Sequence, residues 1–204
     1  RRINEYAKTV QMPFAKVSLD CRLKPQFISA ELLPVIESLE PFGAGNPQPI
    51  FGLFDMTLVS IQPLKGGKHV RLTLTKDNAN ITALKFSTQY ETFPYRRGDK
   101  VDLAVRLEKN EYMGQTKVSI YIKDIRMSST DDEKYLRSVR LYEKIRRGEQ
   151  IRPEHAKLAR VDRAFVASVY RFIKNSGGFF GDSDVLCYRL GDDGSGACRI
   201  LLSV

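Results

Sequence analysis

A small five-stranded β-barrel followed by a basic, α-rich segment is the fold class that this 204-residue sequence predicts. Three observations carry the prediction. Apolar and polar residues alternate with a period of two in three stretches between Val70 and Lys123. Turn-forming residues separate these stretches, as at Lys65-Gly66-Gly67 and Tyr112-Met113-Gly114-Gln115. Beyond Met127 the apolar spacing changes to steps of three and four, the mark of helices.

The first 49 residues read as an entry segment. Residues 29–40 (SAELLPVIESLE) predict a short helix, with Ser29 as N-cap and Glu31 favouring its positive end. Pro34 then belongs near the first turn. The run Pro41-Phe42-Gly43-Ala44-Gly45-Asn46-Pro47-Gln48-Pro49 predicts a rigid, irregular turn. A phosphate cradle is disfavoured there, because Pro47 and Pro49 each remove a backbone donor.

Residues 50–127 carry the five strands. The first spans Phe51–Ile61. In the second, Val70, Leu72 and Leu74 point one way and His69, Arg71, Thr73 and Thr75 the other. The third is Ile81–Phe86. In the fourth, Val101, Leu103, Val105 and Leu107 alternate with Asp102, Ala104, Arg106 and Glu108. In the fifth, Val118, Ile120 and Ile122 oppose Lys117, Ser119, Tyr121 and Lys123. Such alternation describes antiparallel strands with one wet face. The common five-stranded small barrel is the OB-fold.

Residues 128–204 read as a basic α-rich domain, cut short at its end. A helix from Glu133 to Arg147 gathers Tyr135, Val139, Tyr142 and Ile145 on one face. A second, from about Asp162 to Asn175, gathers Phe165, Val169, Phe172 and Ile173. A helical bundle or a winged helix would fit this pattern.

The formal net charge is +9, which favours a polyanionic partner. Residues 51–127 hold thirteen basic and eight acidic side chains. Residues 134–174 hold twelve basic and four acidic ones. Arg137, Arg140, Lys144 and Arg147 line one face of the first long helix, as a phosphate track, a solvated face or a dock for an acidic protein partner would. No apolar run reaches the ~18 residues of a membrane helix, and no signal peptide is visible. Three cysteines without a CxxC fit free thiols in a cytoplasmic protein. The absence of an initiator Met points to a piece of a longer protein.

Nothing in the sequence assembles a catalytic centre. The two histidines, His69 and His155, are far apart, and the acidic clusters lie in polar turns without a neighbouring His. A two-metal phosphodiesterase needs several Asp and His ligands around ions ~3.5–4 Å apart. Binding is better supported. Nonspecific single-strand binders combine a basic groove with aromatic faces. Lys68, His69 and Arg71 on strand two, Arg106 on strand four, and Tyr112, Lys117 and Tyr121 on strand five and its hairpin offer both. The same residues would equally suit the solvated face of any barrel.

Three stretches together resemble a known family. They are Ser38-Leu39-Glu40-Pro41-Phe42-Gly43-Ala44-Gly45-Asn46-Pro47-Gln48-Pro49-Ile50-Phe51, Gly67-Lys68-His69-Val70-Arg71-Leu72 and Glu108-Lys109-Asn110-Glu111-Tyr112-Met113-Gly114. In this order and spacing they resemble the C-terminal part of RecJ-type single-strand-specific DNA exonucleases, over about residues 30–127. The resemblance implies an OB-fold that holds a DNA strand for 5′ to 3′ degradation in recombination and repair. It implies a preceding phosphoesterase core with an Asp-His-His signature and manganese or magnesium. That signature is absent from this sequence, so the fragment itself is expected to hold no cofactor. By the same resemblance, Lys68, His69 and Arg71 contact single-stranded DNA, helped by Asn110, Tyr112 and Lys117. An RNA-binding OB module and a protein-interaction domain docking an acidic partner are the alternatives.

Overall fold

The computed structural model describes residues 16–112, 114–154, 156, 162–179, 181 and 183–191, with the backbone alone for 112, 132, 183 and 184. Six strands form one sheet: β1 (Cys21–Arg22), β2 (Phe51–Leu64), β3 (His69–Lys76), β4 (Ala79–Lys85), β5 (Lys100–Tyr112) and β6 (Gln115–Met127). Their order is β1-β2-β3-β4-β6-β5, and β5 returns to pair with β2. The last pairing closes β2 to β6 into a five-stranded barrel. Within the barrel, neighbours run antiparallel except β4 and β6, which meet in parallel through Ala83↔Ile120 and Leu84↔Tyr121. This is the OB-fold expected from the sequence.

The period-two pattern explains the core. Val70, Leu72, Leu74, Val101 and Val105 are fully buried, and Leu103 and Leu107 nearly so. They meet Leu53, Met56 and Leu58 of β2 and Ile120 and Ile122 of β6 inside the barrel. Burying each such side chain contributes about 1.5–3 kcal/mol relative to exposure. The strands run longer than the alternation suggests. β2 continues to Leu64, and β5 and β6 extend into a hairpin arm whose turn is closed at Gly114, φ 73°. That left-handed conformation suits glycine.

Two expectations are corrected. The alternation puts Asp102 on the wet face of its strand, yet it is only 8% exposed. Its carboxylate accepts hydrogen bonds from the Asp55 N–H (3.0 Å), Ser128 Oγ (2.6 Å) and Arg126 Nε (3.3 Å). It thereby holds the irregular step between Leu53 and Met56 in β2, where Asp55 takes φ 55°. A buried carboxylate is tolerated because it is fully hydrogen-bonded. The early helix is also shorter than 29–40. It spans Leu32–Glu37 (α1), and the residue before it is Glu31 rather than Ser29, without a side-chain cap. Pro34 sits in its first turn, as expected. The Gly43–Asn46 turn is held by Gly43 N–H to Asn46 O (2.8 Å) and by Asn46 Nδ2 to Leu39 O (2.8 Å).

Helices that follow the barrel include α2 (Asp132–Arg146), α3 (Arg163–Asn175) and α4 (Ser183–Arg189). Asp131 caps α2 by accepting from the N–H groups of Glu133 and Lys134, and Asp162 caps α3 by accepting from Phe165. No strand occurs among the described residues after Met127, so they supply no wing for a winged helix. None of these helices is long and apolar enough to cross a membrane.

Candidate nucleic-acid interface

Sheet register decides which outward side chains are neighbours. Arg71 of β3 lies opposite Leu84 of β4, Leu84 opposite Tyr121 of β6, and Tyr121 opposite Arg106 of β5. One transverse row on the outside of the barrel therefore reads Arg71, Leu84, Tyr121, Arg106 across four strands. Paired residues share a face, so all four project to the same side.

A second row crosses beside it. The His69 and Phe86 rings meet edge to face, with centroids 5.0 Å apart and planes at 81°. Phe86 then stacks on Tyr121 at 5.5 Å and 28°. Both are favourable aromatic arrangements. Phe86 remains 47% exposed, so its ring is open to a ligand. Ser87, at φ 53°, turns its N–H onto His69 Nδ1 at 3.0 Å. With Nδ1 accepting, the proton of the neutral ring sits on Nε2, which is free to donate.

Cations surround the rings. Lys68 is exposed in the β2–β3 turn, Arg71 is exposed on β3 and Lys123 on β6. Among the described residues none of these three, nor Lys117, forms an ion pair with a carboxylate. Arg106 is half-buried; it pairs with Glu108 at 3.6 Å, while its Nε is buried without a partner among the described residues.

The structure thus gathers Lys68, His69, Arg71, Arg106 and Tyr121 from the sequence-derived set. Asn110 and Lys117 face each other in register on the hairpin arm, four residues along β5 from Arg106. That separation is about 13 Å at the usual strand rise. Tyr112 lies opposite Gln115 at the arm's end, but its side chain is outside the described residues. His155 is likewise outside them. Sequence reasoning missed Phe86. The signal was present: Thr82, Leu84 and Phe86 share the outward parity of strand three.

Ionisation is perturbed at one place near the interface. On the arm, Lys109 Nζ lies 2.7 Å from Glu111 and 3.9 Å from Glu37. The hydrogen bond and charge of Glu111 raise the Lys109 ammonium above its ordinary value, with Glu37 adding to the effect. Lys109 in turn holds the Glu111 carboxyl below its ordinary value. No three His, Cys, Asp or Glu side chains gather as a metal site among the described residues. Cys21 is an exposed free thiol.

A closed five-stranded barrel of this strand order is an OB-fold, here with a basic, ring-bearing outer face. The family model described as the RecJ OB domain matches residues 19–124, and the chain belongs to that family. RecJ from Thermus thermophilus, in its crystal structure with Mg2+, is similar at 25% identity and a TM-score of 0.52. The match covers 63% of this chain and 20% of that one, so this chain spans about a fifth of that RecJ. The second single-stranded DNA binding protein (SSBb) of Mycobacterium smegmatis matches at 15% identity and a TM-score of 0.32, over 38% of this chain and 84% of that one. No curated protein matches the chain in sequence.

Proposed function

We propose that the barrel is the single-stranded-DNA-binding part of a RecJ-like 5′ to 3′ exonuclease of recombination and repair, whose chemistry belongs to metal-dependent domains outside this chain. The observation that carries the reading is the His69–Phe86–Tyr121 ring row, bordered by Lys68, Arg71, Arg106 and Lys123. Bases stack on rings whatever their identity, and cations beside the rings take the phosphates. Such a face holds a strand without reading its sequence. A base gives two flat faces to stack on only when it is out of a duplex, so the face favours single strands. Asn110 and Lys117 on the arm extend the track by one further phosphate contact.

The test is fluorescence anisotropy of a labelled oligothymidine, with a duplex and an RNA of matching sequence beside it, across a salt series. Tighter binding to the DNA single strand is expected, with log affinity falling by ~0.7 per log salt for each phosphate contacted. Lys68→Ala with Arg71→Ala should flatten that slope by about one to two contacts. Charge reversal at Arg137 and Arg140 should change it less. A preference for duplex or for RNA, or an equal loss from both pairs, overturns the reading.

A further inference from the structure

The two ends of the barrel are closed by parts of the chain far apart in sequence. At the arm end, α1 adds Leu33 and Ile36, 4% and 6% exposed, and Glu37 reaches Lys109 near the end of β5. The opposite end, where β5 begins, is met by Phe179, Gly181 and α4. Phe179 packs against the barrel core, and Val185 of α4 belongs to it at 1% exposure. Gly181, at φ 142°, lies so close to Pro94 that an added Cβ would meet the proline's Cβ at 2.7 Å.

Arg189 completes the attachment. Its Nη1 donates to Asp99 Oδ1 at 2.7 Å, and its Nη2 donates to Asp99 Oδ2 and, at 3.4 Å, to Pro94 O. A fork of this kind fixes both position and orientation. Asp99 sits where the barrel closes: Leu58 N–H of β2 donates to Asp99 O (2.9 Å), and Gly98 N–H donates to Leu58 O (2.8 Å). Asp99 Oδ2 also takes the Arg96 N–H at 2.7 Å.

The loop gripped in this way starts at the interface. It leaves β4 through Phe86 and Ser87, the stacking ring and the N–H that orients His69. Thr88 N–H to Lys68 O (3.2 Å) and Tyr90 N–H to Gly67 O (2.8 Å) tie its first half to the β2–β3 turn. Its second half is tied to α4. The loop thus has two anchors, one beside the rings and one on the C-terminal segment.

We propose that Phe179, Gly181 and α4 form a clasp that closes the barrel and sets the course of the 86–99 loop, so that Arg189 is a positioning residue for the nucleic-acid face. Arg189 touches no part of that face; it acts through Asp99 and Pro94. Only this last step rests on the single-strand reading above.

The experiment compares the full chain with Arg189→Ala, Arg189→Lys and Gly181→Ala. The last variant strains the clasp at Pro94 without changing charge, and it serves if Arg189→Ala does not fold. Amide hydrogen exchange is followed at Leu58, Gly98 and Arg96, with Leu72 and Ile81 as controls. Oligothymidine affinity is measured at a temperature where circular dichroism shows each variant folded. Exchange at the three loop-closure amides should rise more than tenfold with the controls unchanged. Affinity should fall about three- to tenfold with an unchanged salt slope, because no phosphate contact is removed. Arg189→Lys should restore part of both. Unchanged exchange at Leu58, Gly98 and Arg96 would overturn the clasp. Faster exchange with unchanged affinity would overturn the positioning role. If the unaltered chain binds no single strand, the functional reading fails, and the exchange arm still decides the clasp.

Discussion

Phe86 and Tyr121 present the two stacked rings of the interface, and Phe86 is the more open of them. Alanine at a stacking ring removes ~1–3 kcal/mol per base, which is about 5- to 150-fold in affinity. Phe86→Ala and Tyr121→Ala should each weaken oligothymidine binding within that range. Phe86→Ala should lower the melting temperature only modestly, since about half of the residue is exposed. Anisotropy with a parallel thermal melt checks both, and unchanged affinity for the two variants would remove the rings from the interface. Most of the ring row is legible in the sequence. His69, Arg71 and Tyr121 sit in strands whose alternation is regular, so their outward direction follows from parity. Phe86 directly follows the end of β4 at Lys85, where alternation gives way to a loop and an aromatic reads as core. Asp102 misleads for the opposite reason. A polar residue at outward parity looks solvated, and its partner Asp55 belongs to a strand 47 positions earlier.

The Asp102 carboxylate joins β2, β5 and β6 through one side chain. Asp102→Ala leaves the Asp55 N–H and the Ser128 hydroxyl without their acceptor beside the closure seam. Asp55 is exposed and Ser128 half-buried, and a hydrogen bond to a charged group contributes about 1.5–3 kcal/mol. Chemical denaturation should therefore show a loss on the order of 2–4 kcal/mol, whereas a solvated Asp would give a change within ~0.5 kcal/mol. The Lys109–Glu111 pair of the arm makes a milder, pH-dependent contribution. Glu111 has a lowered folded value, so its share is present above the ordinary carboxyl range and is lost as pH falls through the folded value. Lys109 has a raised one, so its share is present below 10.5 and is lost as pH rises through the folded value. Both groups are exposed and screened, so the effect stays local to the arm. In an NMR titration, Glu111→Gln should bring the Lys109 value back down toward the ordinary one. A Lys109 value unmoved by that change would show that the pair does not form in solution.

Barrel and helices are legible as separate runs of period two and period three to four, and the structure confirms both patterns. Their joining is not legible. Val185 and Leu186 open a short apolar run, Val185-Leu186-Cys187-Tyr188, too short to announce a core contact, yet they are 1% and 3% exposed. Sequence periodicity reports which face of an element is apolar and is silent on which distant element it meets. The joining has a thermodynamic consequence. A side chain from α4 that completes the barrel core makes the stability of the two parts interdependent, so the described chain should unfold in one cooperative transition. Val185→Ala removes two buried methyl groups from that core and leaves a cavity, which costs about 1–3 kcal/mol. For a chain of this length each kcal/mol lowers the melting temperature by about 2–4 °C, so a drop of several degrees is expected. It should appear equally in near-UV signals from the barrel tyrosines and in far-UV helix signals. Two separate transitions, with only the helical one displaced, would mean that α4 rests on the barrel without completing its core.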